Sequence, residues 1–306
     1  MPDLPSSRTV MPRLDEPPTG QASAYNVVRF SRDTDPLSEA EHHWLRAGLT
    51  AALPDLRMDA LFEARPDLLR EAQHLVVGVE RDSGAPVSAL GASWAATASG
   101  QPFLHIGIQF VGARLRGGQV FATSWLALLE EVIVTGGFPY LAALRTYNPV
   151  AYCAMRSYGE LPGAALYPET GAAPETDTAP ETDTARAGGA VATGGAGHGG
   201  GEGAGGREPR VMALAREIAA ALAPHAPFAA SSGRLTGIGV PRDLYRTRPR
   251  CDDARVNAHF ERHTEPGDRI LCVVRIPAET VEAIMANFVR RTDQNHRSTR
   301  ASARSA

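Results

Sequence analysis

The segment Arg114-Leu-Arg-Gly-Gly-Gln119 has the residue types that hold a phosphate. Two adjacent glycines let backbone N–H groups turn toward a common point. The first turn of a following helix adds unpaired N–H groups and the positive end of its dipole. Two arginines flank the pair and supply charge. The chemistry suited to this segment is binding of a phosphate or pyrophosphate. Other phosphate loops fit less well. Gly-x-x-x-x-Gly-Lys-Ser/Thr needs a lysine, and the chain has none. Gly-x-Gly-x-x-Gly does not match Gly117-Gly118-Gln119-Val120-Phe121-Ala122. A glycine pair also serves as a plain structural turn, so its surroundings must decide.

Such a turn works only if a strand delivers the chain to it and a helix carries the chain away. Both patterns are present. The apolar run 103–111 predicts a strand, and 120–135 predicts a helix ended by Gly136-Gly137. Upstream, 25–30 reads as a strand and Ser38 caps a helix through Leu49. A short helix is expected over 66–72. Strands are expected at 74–79 and 87–95, joined by the turn at 81–85. Downstream, 140–145 reads as a strand. Asn148-Pro149 is a cap and first-turn pair that opens a helix to about Tyr158.

A composition break follows. Ala-Pro-Glu-Thr-Asp-Thr occurs twice in tandem from Ala173, and 188–206 is nearly all Gly and Ala. This reads as a linker with no means of burying a core. Order is expected again from Pro209 in a helix to about Leu222, then a strand at 269–276 and a final helix at 277–289. The domain reading is a disordered segment at 1–24, a core at 25–167, the linker at 168–208, a helix-strand-helix segment at 209–289 that completes the fold, and a basic disordered tail at 290–306.

The whole chain sets further bounds. A formal net charge of −3 gives no reason to expect nucleic acid or anionic membrane as partner. No run is apolar and long enough to span a bilayer, and the N-terminus lacks a secretory pattern. Cys153, Cys251 and Cys272 are far apart in sequence and form no Cys-x-x-Cys, which fits a reducing cytoplasm. Cys153 and Cys272 read as core residues, and Glu130 and Glu131 as a solvated helix face. His259 and His263 have helical i,i+4 spacing, but His-Phe-Glu-Arg-His is not His-Glu-x-x-His and no third ligand is evident, so no metal is expected.

The order of elements, with the turn, resembles the GNAT superfamily of acyl-CoA acyltransferases. The turn is similar to that family's Gln/Arg-x-x-Gly-x-Gly/Ala except at the last place, Gln119. The helix after it, the strand leading to Arg145-Thr-Tyr-Asn148, and Asn148-Pro-Val-Ala151 with Tyr158-Gly159 are similar too, over roughly residues 100–160. The resemblance implies an α/β fold with a mixed, largely antiparallel sheet flanked by helices. It implies acetyl-CoA or another acyl-CoA as co-substrate and a small-molecule amine as acceptor. Donor binding would fall to Ile108, Phe110 and Val111 on the splayed strand, to Arg114, Arg116, Gly117, Gly118, Gln119 and Val120 at the turn, and to Asn148. A backbone N–H would stabilise the tetrahedral oxyanion.

The catalytic candidates are His105 as proton acceptor, because histidine titrates near neutrality, and Tyr147 at the end of the next strand. His105, Gly107 and Gln109 alternate with Ile106, Ile108 and Phe110, so they are expected to share a polar face looking into the cleft. In plainer terms, His105 is a hydrogen-bonded surface histidine and Tyr147 is packing. Seven residues after the helix-opening asparagine the family often has a tyrosine as general acid. Met155 stands there and cannot donate a proton. Two alternatives stay open: an acyl carrier protein as donor in specialised metabolism, or a non-catalytic binding module.

Overall fold

The structure, a computed structural model, describes residues 24–115, 119–170 and 207–281. The expected linker at 168–208, the N-terminal segment and the basic tail lie wholly or mostly outside these residues, as does most of the expected final helix.

Among the described residues the sheet has nine strands. They are β1 (Tyr25–Ser31), β2 (His74–Glu80), β3 (Pro86–Ala96), β4 (Pro102–Val111), β5 (Leu141–Thr146), β6 (Ala165–Tyr167), β7 (Phe228–Ala229), β8 (Arg234–Leu235) and β9 (Arg269–Arg275). The order is β1-β2-β3-β4-β5-β9-β8-β7, with β6 also on β9. β4 and β5 pair in parallel, and every other pair is antiparallel. The parallel pair exists because the helix α4 (Gln119–Gly136) carries the chain across the sheet between them. The sheet is therefore mixed and largely antiparallel, as expected. β9 is not an edge piece. It fills the centre, with β5 on one side and β6 and β8 on the other.

The helices begin where the sequence provides caps. In α1 (Glu39–Ala52) the Ser38 hydroxyl accepts from Glu41 N at 3.3 Å, and Glu41 accepts from Ser38 N at 2.9 Å. This reciprocal pair satisfies two otherwise orphaned donors. In α5 (Pro149–Gly159) the Asn148 side chain accepts from Val150 N at 3.0 Å. The helices α2 (Met58–Ala64), α3 (Leu68–Glu71), α6 (Arg207–Leu222) and α7 (Ala254–His263) complete the set. α7 starts at Asp253, whose carboxylate accepts from Arg255 N and Val256 N and also from the Arg156 guanidinium at 2.6 Å.

Three apolar clusters seat these layers. α4, α5 and α7 cover one face over Val76, Leu90, Leu104, Ile106 and Leu144. On the other face, α1 and α2 cover Leu75, Val77, Val79 and Ile108, while α6 covers Phe103, Leu141, Ala143 and Leu271. α4 lies close because β2 has Gly78 beneath it. A Cβ there would meet Ser88 Oγ at 2.4 Å and Val120 at 3.1 Å.

Two side-chain expectations are corrected. Glu130 and Glu131 do not form a plain solvated face, since Arg29 of β1 reaches Glu130 at 2.5 Å and Glu131 at 3.9 Å. Cys153 is not a core residue. It is half-buried, and its Sγ lies 3.4 Å from Cys251, while Cys272 is fully buried.

Candidate functional site

β4 carries the feature that builds the site. Ile106 lies opposite Ala92 of β3, but Ile108 lies opposite Gly91, so Gly107 is an extra residue in a β-bulge. A bulge reverses the alternation of side chains beyond it. Ile106 accordingly packs under α4, whereas Ile108 and Phe110 pack under α1 and α2. The expected common face of His105, Gly107 and Gln109 is overturned. Gln109 lies opposite Leu90 on the α4 side, and His105 lies on the other face opposite Ser93.

The bulge also ends the pairing of β4 with β5. Only Leu104–Ile106 pair with Ala142–Leu144, although β4 runs on to Val111 and β5 to Thr146. Past Ile106 the two strands share no ladder, and an extended ligand could hydrogen-bond to the opened β4 edge. A strand that splays from its neighbour before the turn, with an Asn-capped helix after the next strand, is what the sequence resemblance implied. The bulge at which the strands part, and their parallel pairing, are additions of the structure. The fold is GNAT-like.

Comparison with solved structures gives likenesses over less than half of the chain. Escherichia coli ElaA matches at 16% identity and TM-score 0.34, covering 48% of this chain and 94% of that one. A Corynebacterium glutamicum structure described as histone acetyltransferase HPA2 and related acetyltransferase matches at 16% and 0.31, covering 47% and 87%. The GCN5-related glucosamine N-acetyltransferase region of a fungal multi-domain β-N-acetylglucosaminidase matches at 16% and 0.29. It covers 40% of this chain, which spans 14% of that protein. No family model and no curated protein matches the chain. At these scores the likenesses add nothing to what strand order and bulge show.

The expected donor residues are placed unevenly. Ile108 is buried, so only its main chain could meet a ligand, while Phe110 and Val111 are half-buried. Arg114 is exposed in a 3-10 turn, Ala113–Leu115. Arg116, Gly117 and Gly118 lie outside the described residues. Gln119 opens α4. Val120 is buried against Gly78, so its side chain is structural. Asn148 is the α5 cap at the end of β5.

His105 is half-buried, makes no hydrogen bond among the described residues, and neither ring nitrogen is sealed from the surface. Its pKa is pushed down to about 3, first by burial and then by the Arg145 and Arg65 charges. The imidazole is neutral at physiological pH and can accept a proton, but its surroundings make it a weak base.

Tyr147 is packed under a cationic lid. Its ring centroid is 5.6 Å from Tyr245, with the Arg248 guanidinium 5.4 Å and the Arg269 guanidinium 6.0 Å from it. The segment that brings Tyr245 is tied to the far side of the cleft. Arg57 N donates to Leu244 O at 2.8 Å, and Arg246 N donates to Asp55 O at 3.0 Å. Sequence patterns gave no sign of this strap, because its contacts are main-chain bonds between residues almost two hundred positions apart.

No described residue takes the proton-donor place that Met155 vacates. Met155 is 2% exposed in the core. Tyr152 is fully buried, with its hydroxyl donating to Pro168 O at 2.5 Å. Tyr158 leans on Trp125 with ring centroids 5.6 Å apart. Burial raises the pKa of both phenols. The His259 and His263 rings do lie side by side, tilted with centroids 4.7 Å apart, but His259 Nε2 lies 3.0 Å from the Ser232 carbonyl, which fits a ring N–H donating there.

Proposed function

We propose that the chain transfers an acyl group, acetyl in the simplest case, from an acyl-CoA to a small-molecule amine. The supporting observation is the β4–β5 separation at the Gly107 bulge. The opened β4 edge would pair with the pantetheine arm. The turn from Arg114 and the start of α4 would receive the pyrophosphate, with charge from arginine and N–H groups from the helix end.

The amine nitrogen attacks the thioester carbonyl, and its lone pair forms the C–N bond. A main-chain N–H facing the thioester stabilises the oxyanion. As the carbonyl re-forms, the C–S pair leaves with sulfur. The proton shed by nitrogen goes to neutral His105 and passes through water to the CoA thiolate, so His105 ends as it began. Met155 leaves this last step to solvent. Tyr147 serves as a wall of the acceptor side.

Release of free CoA thiol from acetyl-CoA tests this reading, measured with a panel of small amines. Thiol release that depends on the amine, with the acylated amine found by mass spectrometry, is expected. Acetyl-CoA that binds but is never consumed would favour the second reading, a non-catalytic binding module, for which Met155 in the core speaks. Donor use only from a loaded carrier protein would move the reading to that donor.

A further inference from the structure

His105, Arg145 and Arg269 form a row across three strands on one sheet face. His105 lies opposite Ala143 of β5, and Arg145 is two residues further along that strand. Arg145 lies opposite Leu271 of β9, and Arg269 is two residues before it, on the diagonal. Ala143 and Leu271 belong to the same buried cluster, which fixes the shared face. Arg65, at the end of α2, adds a third positive charge that bears on both His105 and Arg145.

Arg65 has a carboxylate partner in Glu71. Among the described residues, Arg145 and Arg269 have none within salt-bridge distance. Each commits one N–H to a main-chain carbonyl, Arg145 to Leu222 O at 2.8 Å and Arg269 to Asp268 O at 2.7 Å. Their other guanidinium nitrogens are not sealed from the surface. Both guanidiniums are largely withdrawn from water, which pushes their pKa values down, and each sits near another arginine. Tyr147 offsets part of the Arg269 charge through its ring. The Asp268 carboxylate also bears on Arg269, but among the described residues the charges that bear on Arg145 are those of Arg65 and Arg269 alone. A partly dehydrated cation beside two others, with donors left open, is costly to hold unless an anion joins it.

We propose that the acceptor amine also carries an oxyanion, a carboxylate or a phosphate, which Arg145 and Arg269 hold while the amine faces His105. The assignment rests on the acyl-transfer reading for the amine, but the oxyanion site stands on the arginines alone. Guanidinium groups bind both oxyanions through paired N–H bonds. Burial is the first cause of the low His105 pKa and would remain, but the bound anion would offset the second, the Arg145 and Arg65 charges, and so raise its proton affinity in part when acceptor is present.

The test uses the full chain labelled at histidine, with the His105 ring signal identified by its loss in His105→Gln. The twenty common amino acids are compared with their methyl esters, and phosphoethanolamine with ethanolamine. Each ester or alcohol keeps the amine and loses the negative charge. The expected result is that at least one acid shifts the His105 signal and its uncharged partner does not. Whether carboxylates or the phosphate act identifies the oxyanion. Arg145→Gln should weaken the active acid by about tenfold or more, the scale of a lost charge-assisted hydrogen bond, and leave the ester unaffected. Equal responses to acid and ester, or no response to any compound, overturn the proposal. If Arg145→Gln does not melt cooperatively, Arg269→Gln and the wild-type comparison decide. Acetyl-CoA is titrated in parallel. Donor binding without any acid response removes only the oxyanion site, and an acid response without donor binding removes the acyl-transfer reading.

Discussion

Ile106 and Ile108 face opposite sides of the sheet although one residue separates them on β4. In a regular strand they would share a face. The displacement at Gly107 turns His105 away from Gln109, delivers Ile108 to the α1–α2 cluster, and coincides with the end of the β5 ladder at Ile106. One extra residue thus sets both the cleft and which side chains look into it.

Gly107 should tolerate alanine. A Cβ there would meet only the His105 ring, at 3.4 Å, and its backbone is not in the left-handed region. Gly107→Ala is expected to change stability by about 1 kcal/mol or less, measured by urea unfolding. Gly107→Leu would fold as well but crowd His105 and cut turnover. A Leu variant with full activity would place the acceptor elsewhere.

His105 ties stability to pH. Its folded pKa of about 3 lies below the ordinary histidine value, so on acidification the unfolded chain binds the proton first. The favourable contribution is complete above pH 6.5 and is lost as pH falls toward 3. His105→Gln should therefore lose less stability than the parent between pH 7 and pH 4.5. His259, held at about 4 mainly by burial, and His42, His74 and His263, also lowered mainly by burial, contribute to the acid response in both proteins. Identical acid limbs for the two would contradict the placement of His105.

Much of the scaffold was legible in the sequence, and the reasons are local. Ser38 with Glu41, and Asn148 with Pro149, are self-contained signals, and the apolar runs of β2, β3 and β9 are long enough to show their period. The bulge was not legible, because Gly107 in an apolar run looks like any small strand residue and the pattern His-Ile-Gly-Ile-Gln invites strict alternation. β7 and β8 span two residues each, too few for a period, and β6 spans three. α2 carries little local signal, because its start at Arg57 has no side-chain cap. α7 does have a sequence signal, the N-cap Asp253 before Arg255 and Val256. The row of His105, Arg145 and Arg269 depends on the register of three strands, which no single stretch of sequence encodes.

Met155 belongs to the core and not to the chemistry. Met155→Ala should destabilise the protein by about 2–5 kcal/mol, the range for emptying a buried site of this size. Measured on the folded fraction, turnover per molecule should hold and the pH–rate profile should not move. A shifted profile would show that position 155 reports on the reacting groups.

Cys153 and Cys251 should cross-link under a thiol oxidant such as diamide. Their sulfurs are 3.4 Å apart, both are half-buried, and Cys272 is sealed in the core. Burial and then the neighbouring thiol push Cys153 up to about 12, so the reaction should be slow at neutral pH and faster as pH rises. Peptide mapping is expected to find the 153–251 bridge. A bridge to Cys272 would contradict the packing of α5 against the segment before α7.

The most direct test of the account is the effect of CoA on melting. If the β4–β5 cleft and the turn after it hold an acyl-CoA, saturating CoA must stabilise the folded chain. At about 100 times the dissociation constant, linkage gives about 2.7 kcal/mol. For a chain of this size that is a rise in Tm of about 5–10 °C. Gly118→Glu, which would place bulk and negative charge at the proposed phosphate position, should melt cooperatively and lose most of that rise. A wild-type melting curve unmoved by saturating CoA and acetyl-CoA would contradict the claim that this cleft binds a nucleotide donor.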